Sequence, residues 1–260
     1  MAMSSISRDA RRNDSQSIDA ALGRIHEGLP PDTPWFFRVA LGSWRFLVAT
    51  LGFTLIVGTI AASNPDWLLR FDEPISEWFR GLIEGGGFTS VVTQFGSPNL
   101  AIAIGAVGVL VLWRRCRASA ITLGLLVASA VAVDLVLKLV VDRPRPLDPV
   151  VDTGLGSFPS GHVIHAVVIF GLLPILLWAI KESRAYLVAG FAVFGIAVIS
   201  VAASRIALGA HWPSDVVASF LIGASLLLGA QFLIRSGWAA DRCNAHVYHE
   251  ATGDSDDDRT

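Results

Sequence analysis

An all-α, polytopic membrane protein with six transmembrane helices is the fold class this sequence predicts, and three observations predict it. Hydrophobic residues make up 53% of the 260-residue chain against 16% charged, and the mean hydropathy is +0.57, which takes the chain out of the ordinary soluble class. The apolar residues fall in runs of about 20, the length a helix needs to cross a ~30 Å hydrocarbon core. The cations between runs concentrate in alternate connections, as cytoplasmic loops require. A formal net charge of −2 gives no basis for nucleic-acid binding, and two cysteines, Cys116 and Cys243, are too few for a disulfide framework.

Residues 1–43 are polar, rich in Ser, Asp and Arg, and pass through Leu-Pro-Pro-Asp-Thr-Pro; they read as a partly disordered cytoplasmic tail. No small-residue cleavage site follows the first apolar run, so Trp44 to Ser63 is a retained span and not a signal peptide. Residues 64–90 change character. Asp66, Asp72, Glu73, Glu77 and Glu84 stand among Trp67, Trp78 and Phe79, ahead of a Gly85-Gly86-Gly87 break, and Ile75, Trp78, Phe79, Leu82 and Ile83 recur at helical spacing. That pattern predicts a short amphipathic helix lying in the membrane interface as an anchor.

The second span starts at Val91 or Pro98 and runs to Trp113, before Arg114-Arg115-Cys116-Arg117. The third covers Ala118 to Val141, the fourth Gly161 to Ile180, the fifth Ala185 to Ser204 and the sixth Asp215 to Ile234; residues 235–260 form an acidic, disordered cytoplasmic tail. The N-terminal tail, the 114–117 and 181–184 connections and Arg235 carry the cytoplasmic cations. Both termini are then inside, as an even number of spans demands.

Lys138, Arg143, Arg145 and Arg205 break this trend at the outer ends of the third and fifth spans. An ionisable group at membrane depth costs about 2.5–3.5 kcal/mol on insertion scales, so the cluster needs anionic partners. Three polar segments meet on that extracytoplasmic side: Lys138 to Pro146, Phe158 to His162, and Ser204 to Asp215.

In the last of these, His211 and Asp215 lie four apart, so one helical turn lets the carboxylate take one ring N–H and leaves the other nitrogen to attack. Arg205 adds a planar cation suited to phosphate oxygens. The same stretch also fits a polar hairpin between two spans. Pro159-Ser160-Gly161-His162 enters the fourth span, where unpaired N–H groups and the helix dipole favour an anion, although a plain Ser-capped helix start has the same pattern. His162 stands at its edge, placed to give a proton to a leaving oxygen. Lys138 either snorkels to the interface or, with Arg145 in its Pro-Arg-Pro frame, neutralises a phosphoryl group. Arg143 has Asp142, Asp148 or Asp152 as partners and is left out of the site.

These segments resemble, residue for residue, the tripartite signature of the type 2 phosphatidic acid phosphatase superfamily: Lys138 with Arg145-Pro146, Pro159 to His162, and Ser204-Arg205 with His211 and Asp215. The resemblance implies an integral-membrane lipid phosphatase with no metal and no cofactor. It implies His211 as the nucleophile that becomes phosphohistidine, Asp215 as the group that orients it, and His162 as the acid for the leaving oxygen. Lys138, Arg145, Ser160, Gly161 and Arg205 become the phosphate cradle. The expected partners are the bilayer and a lipid phosphate or pyrophosphate: a prenyl pyrophosphate, phosphatidylglycerophosphate or phosphatidate. A phosphotransferase would use the same residues, and an anion channel or transporter is the non-enzymatic alternative. Oligomeric state is not legible.

His165 is expected to be a hydrogen-bonded histidine between helices. Cys243, His246 and His249 have ligand-type spacing but lack a fourth ligand and are set aside as a metal site. Gly190 and Gly195 are expected at close helix contacts. Ser219 stands where the family has a small residue, often Gly.

Overall fold

The computed structural model describes residues 21–22, 44–63, 65–83, 86–147, 149, 154–181 and 183–234. The two predicted tails therefore lie outside the described residues, apart from the buried Ala21 and Leu22. So do Cys243, His246, His249, Asp148 and Asp152.

Every element among the described residues is helical. In chain order they are α1 (Trp44–Ser63), α2 (Pro65–Leu82), α3 (Gly87–Thr93), a 3-10 turn at Gln94–Gly96, α4 (Pro98–Trp113), α5 (Arg117–Val141), α6 (Gly161–Phe170), α7 (Leu173–Lys181), α8 (Arg184–Ala207) and α9 (Pro213–Ile234). Five stretches are long and apolar enough to cross a bilayer: Gly87–Trp113, Arg117–Val141, Gly161–Lys181, Arg184–Ala207 and Pro213–Ile234. A sixth follows if Val48–Ser63 and Asp66–Leu82, bent by 101°, form one broken span. The predicted boundaries of the second to sixth spans agree to within a few residues, with the second starting nearer Val91 than Pro98; the predicted first span is a helix over Trp44–Ser63 but counts as a crossing only within the bent pair. Large apolar side chains such as Leu110, Leu139, Val140, Ile196 and Ile199 point outward, which suits lipid and not water.

Two breaks have local causes. At Ser97 the chain turns because Pro98 takes the first helical position, where its missing N–H costs nothing, while the Ser97 hydroxyl accepts from Leu100 N at 3.3 Å. The predicted fourth span is in fact two helices, α6 and α7: Pro174, near the start of α7, has no N–H to continue the ladder from α6.

Helix α6 is the centre of the bundle, packed against α4, α5, α8 and α9. Its Val163, Ile164, Ala166 and Val167 are completely buried. Among apolar helices in lipid, contact depends on close packing and interhelical hydrogen bonds. Thr50 Oγ1 of α1 lies 2.6 Å from Ser225 Oγ of α9, and a Cβ at Gly96 would fall 2.3 Å from His162 O. Gly190 makes the close contact expected of it, 2.5 Å from Pro174 Cα to an added Cβ, whereas Gly195 faces open space.

Helix α2 carries its large apolar residues outward, Trp67, Phe71, Ile75, Trp78 and Leu82, and buries Leu68, Asp72 and Ser76. The predicted apolar face is present. The polar inner face has a second task, because it meets the ends of α8 and α9. At this same end of the bundle lie the C-termini of α5 and α8 and the N-termini of α6 and α9, so the three polar segments converge.

Candidate active site

Helix α5 stops at Asp142, whose φ of 41° is left-handed and whose N–H bonds Lys138 O at 3.1 Å. The chain then runs extended beside 154–158: Ser157 N donates to Arg143 O at 2.8 Å, and Ser157 Oγ to Pro144 O at 3.2 Å. The turn into α6 is tied to α9 through Ser160 N, which donates to Ser219 Oγ at 2.7 Å. That serine hydroxyl in turn donates to Asp215 O. Ser219 thus has a task that a glycine could not perform. Ser219→Ala leaves a buried N–H without an acceptor, at about 1–3 kcal/mol; the expected result is a lower unfolding temperature in detergent, read by thermal melting.

His211 and Asp215 are both buried, but the expected bond between them is not made. The Asp215 carboxylate stands 4.0 Å from His211 Nδ1, and the ring nitrogen lies 2.6 Å from Ser157 O. A carbonyl only accepts, so Nδ1 carries the proton and Nε2 presents its lone pair. Asp215 is occupied elsewhere: it accepts from Trp212 N at 3.0 Å and from Arg143 Nη1. The carboxylate therefore shapes the turn that holds His211, and Ser157 orients the ring.

Arg143, left out on sequence grounds, is among the most deeply buried side chains. Its Nη1 donates to Ser214 Oγ at 2.8 Å and its Nη2 to Asp72 Oδ2 at 2.7 Å. Asp72 also accepts from Ser214 N at 2.8 Å and Ser214 Oγ at 2.6 Å. The guanidinium stands over the Trp212 ring, 5.7 Å from its centroid, and Trp212 Nε1 donates to Pro144 O at 2.9 Å. One arginine thus joins α2, the 143–147 strand-like segment and the start of α9. The signal for Arg143 is the cost of burying a cation at membrane depth; among the described residues its acidic partners are Asp72 and Asp215, and not the adjacent Asp142.

The residues expected to form a cradle are gathered here too. Lys138 Nζ pairs with Asp134, one turn back, at 2.8 and 3.0 Å. Arg145 donates to Leu155 O at 3.0 Å, Gly156 O at 3.2 Å and Ala210 O, so three of its five N–H groups frame the loops and two remain for a ligand. Arg205 Nη1 donates to Thr93 Oγ1 at 3.1 Å. Ser160 Oγ and Arg205 Nε are buried without a hydrogen-bond partner among the described residues. His162 is part-exposed and stands at the N-terminus of α6, at the same end of the bundle as His211, Lys138, Arg145 and Arg205. His165 is the interhelical histidine expected, with Nδ1 3.2 Å from Gly96 O.

Burial, then the charges of Arg205, Arg145 and Lys138, hold the His211 pKa well below the ordinary histidine value, with Ser157 O opposing. Burial also lowers that of Arg145, against Asp215 and Asp134. Arginine nonetheless remains a cation.

Comparison with known proteins adds a family resemblance to this geometry. Residues 119–236 match the model of the PAP2 superfamily. An undecaprenyl-diphosphatase of Sulfolobus acidocaldarius is 30% identical over 146 residues, 53% of this chain and 65% of that protein. Phosphatidylglycerophosphatase B of Bacillus subtilis is 30% identical over 96 residues, 35% of this chain and 46% of that protein. The chain thus spans just under two thirds of the first relative and under half of the second. The crystal structure of a transmembrane PAP2-type phosphatidylglycerolphosphate phosphatase from Bacillus subtilis shares the fold, with a TM-score of 0.58 at 23% identity over 72% of this chain and 94% of that one. The matched stretch runs from the helix that carries Lys138 to the end of the helix that carries Asp215, with both histidines between them, and over that stretch the chain is similar to the PAP2 superfamily.

Proposed function

We propose that this protein is an integral-membrane phosphatase that removes phosphate from a lipid phosphate or pyrophosphate at the extracytoplasmic face, through a phosphohistidine and without a metal. The observation that carries the reading is the gathering, at one end of the bundle, of a histidine with its Nε2 lone pair available, a second histidine, three cations, and the unpartnered buried donors Ser160 Oγ and Arg205 Nε. The sidedness rests on the Lys and Arg of the opposite connections. Undecaprenyl-diphosphatase and phosphatidylglycerophosphatase B among the relatives support a lipid substrate, with a prenyl pyrophosphate first and phosphatidylglycerophosphate or phosphatidate next.

His211 Nε2 attacks phosphorus, and the Ser157 carbonyl holds the opposite ring N–H as positive charge develops. The phosphoryl oxygens gather charge against Lys138, Arg145, Arg205, Ser160 Oγ and the Gly161 end of α6, where donors already in place cost no reorganisation. His162 protonates the departing oxygen; the same histidine then takes a proton from water as it opens the phosphohistidine, releasing phosphate and restoring His211. Among the described residues, no three His, Cys, Asp or Glu side chains gather as a metal site. The cradle is cationic, which suits phosphate and not Mg²⁺.

The test is a panel of lipid phosphates offered to full-length protein in detergent, with inorganic phosphate measured. Release from one of the three lipids, competitive inhibition by vanadate and full activity in chelator are expected. A strict Mg²⁺ requirement, or anion flux without phosphate release, would overturn the reading.

A further inference from the structure

Asp134 has no role in the chemistry above, yet it sits among the groups that perform it. Its carboxylate holds Lys138 Nζ at 2.8 and 3.0 Å. It also lies against the first residue of α6, where a Cβ on Gly161 would come within 2.3 Å of Asp134 Oδ2. Two of the groups expected to receive a phosphate, the Lys138 ammonium and the Gly161 backbone, thus already face a carboxylate. Its charge also acts on Arg145 and Arg205. Meanwhile Ser160 Oγ and Arg205 Nε have no partner among the described residues. The cradle is half filled by the protein itself.

Resting on the phosphatase reading, we propose that Asp134 is an internal counter-anion of the phosphate cradle, engaging Lys138 while the pocket is empty and weakening the hold on phosphate. Lys138 exchanges Asp134 for a phosphoryl oxygen as substrate enters and returns to it as inorganic phosphate leaves. Without this competitor, a pocket of three cations would retain its product. Uniform ground-state binding of that kind adds nothing to turnover once substrate is saturating. The same geometry explains glycine at 161, since any side chain there would occupy the space of the carboxylate.

The test is calorimetric titration of inorganic phosphate into the full-length protein in detergent, comparing wild type with Asp134→Asn and Lys138→Met, alongside product inhibition of hydrolysis. Asp134→Asn is expected to tighten phosphate binding about tenfold, the scale of one nearby unit charge in a partly buried site, and to lower Ki for phosphate in parallel. Lys138→Met weakens binding. If Asp134→Asn instead weakens phosphate binding as Lys138→Met does, while melting as wild type, Asp134 only positions the lysine and the proposal fails. If phosphate binds none of the three proteins, both this proposal and the phosphate pocket fall. Tighter binding by Asp134→Asn with no lipid phosphate hydrolysed by wild type would uphold the counter-anion and sink the phosphatase.

Discussion

His211→Ala is expected to abolish phosphate release, by on the order of 10⁴-fold or more, the scale on which removal of a nucleophile acts in enzymes with a covalent intermediate. The protein should remain folded. The substitution orphans the Ser157 carbonyl at about 1–3 kcal/mol, so thermal melting beside the assay separates loss of chemistry from loss of fold. His211→Asn, which can still donate to Ser157 O, should melt closer to wild type and be equally inactive. The pH dependence has a definite sign. Burial and the three cations place the His211 pKa below its ordinary value of ~6.5, so the nucleophile stays unprotonated through neutral pH and kcat/KM declines only as the pH falls beneath that value. Stability follows the same direction: below the unfolded histidine pKa the unfolded chain binds a proton that the folded chain refuses, and the contribution shrinks as pH falls toward the folded pKa. An acid limb centred at or above the ordinary value would mean that a different group controls it.

What the sequence discloses and what it hides follow from the range of the interactions. The spans are local patterns of hydropathy, and the three motifs keep their spacing within single segments, so both are legible in one dimension. The pairing of Arg143 with Asp72 is not. It crosses 71 positions, and no local rule prefers Asp72 over the nearer Asp142. The role of Asp215 shows the same limit from the other side. Spacing of four makes a bond to His211 geometrically reasonable, but a carboxylate next to a buried guanidinium and the Trp212 N–H has its oxygens committed, and a backbone carbonyl from another loop orients the ring. Asp134 was open to detection: an acid four residues before Lys138 on an apolar helix is the spacing of an intrahelical ion pair. The break between α6 and α7 was likewise written in Pro174 and hidden by the unbroken hydropathy around it.

Arg143→Met should be the most destabilising single change near the site. It leaves the Asp215 and Asp72 carboxylates buried without their shared cation, and breaking a buried pair in this way costs about 3–5 kcal/mol, more than the intact pair contributes. Thermal unfolding in detergent reads that loss. Arg143 makes its contacts to Asp72, Ser214 and Asp215 and acts on His211 through Asp215 and the Trp212 turn, so it is a positioning residue. Its effect should therefore fall on kcat more than on KM, whereas Arg145→Met should raise KM. Arg143→Lys retains the charge but replaces a planar fork by a single ammonium that cannot serve Asp72, Ser214 and Asp215 together, and an intermediate melting temperature is expected. The double variant Arg143→Met with Asp72→Asn removes one of the two stranded charges and should recover part of the stability without recovering turnover, because Asp215 still lacks its partner. Equal melting of the single and double variants would show that the Ser214 hydrogen bonds alone satisfy Asp72 once Arg143 is gone, and that α2 covers this end of the bundle without bracing it.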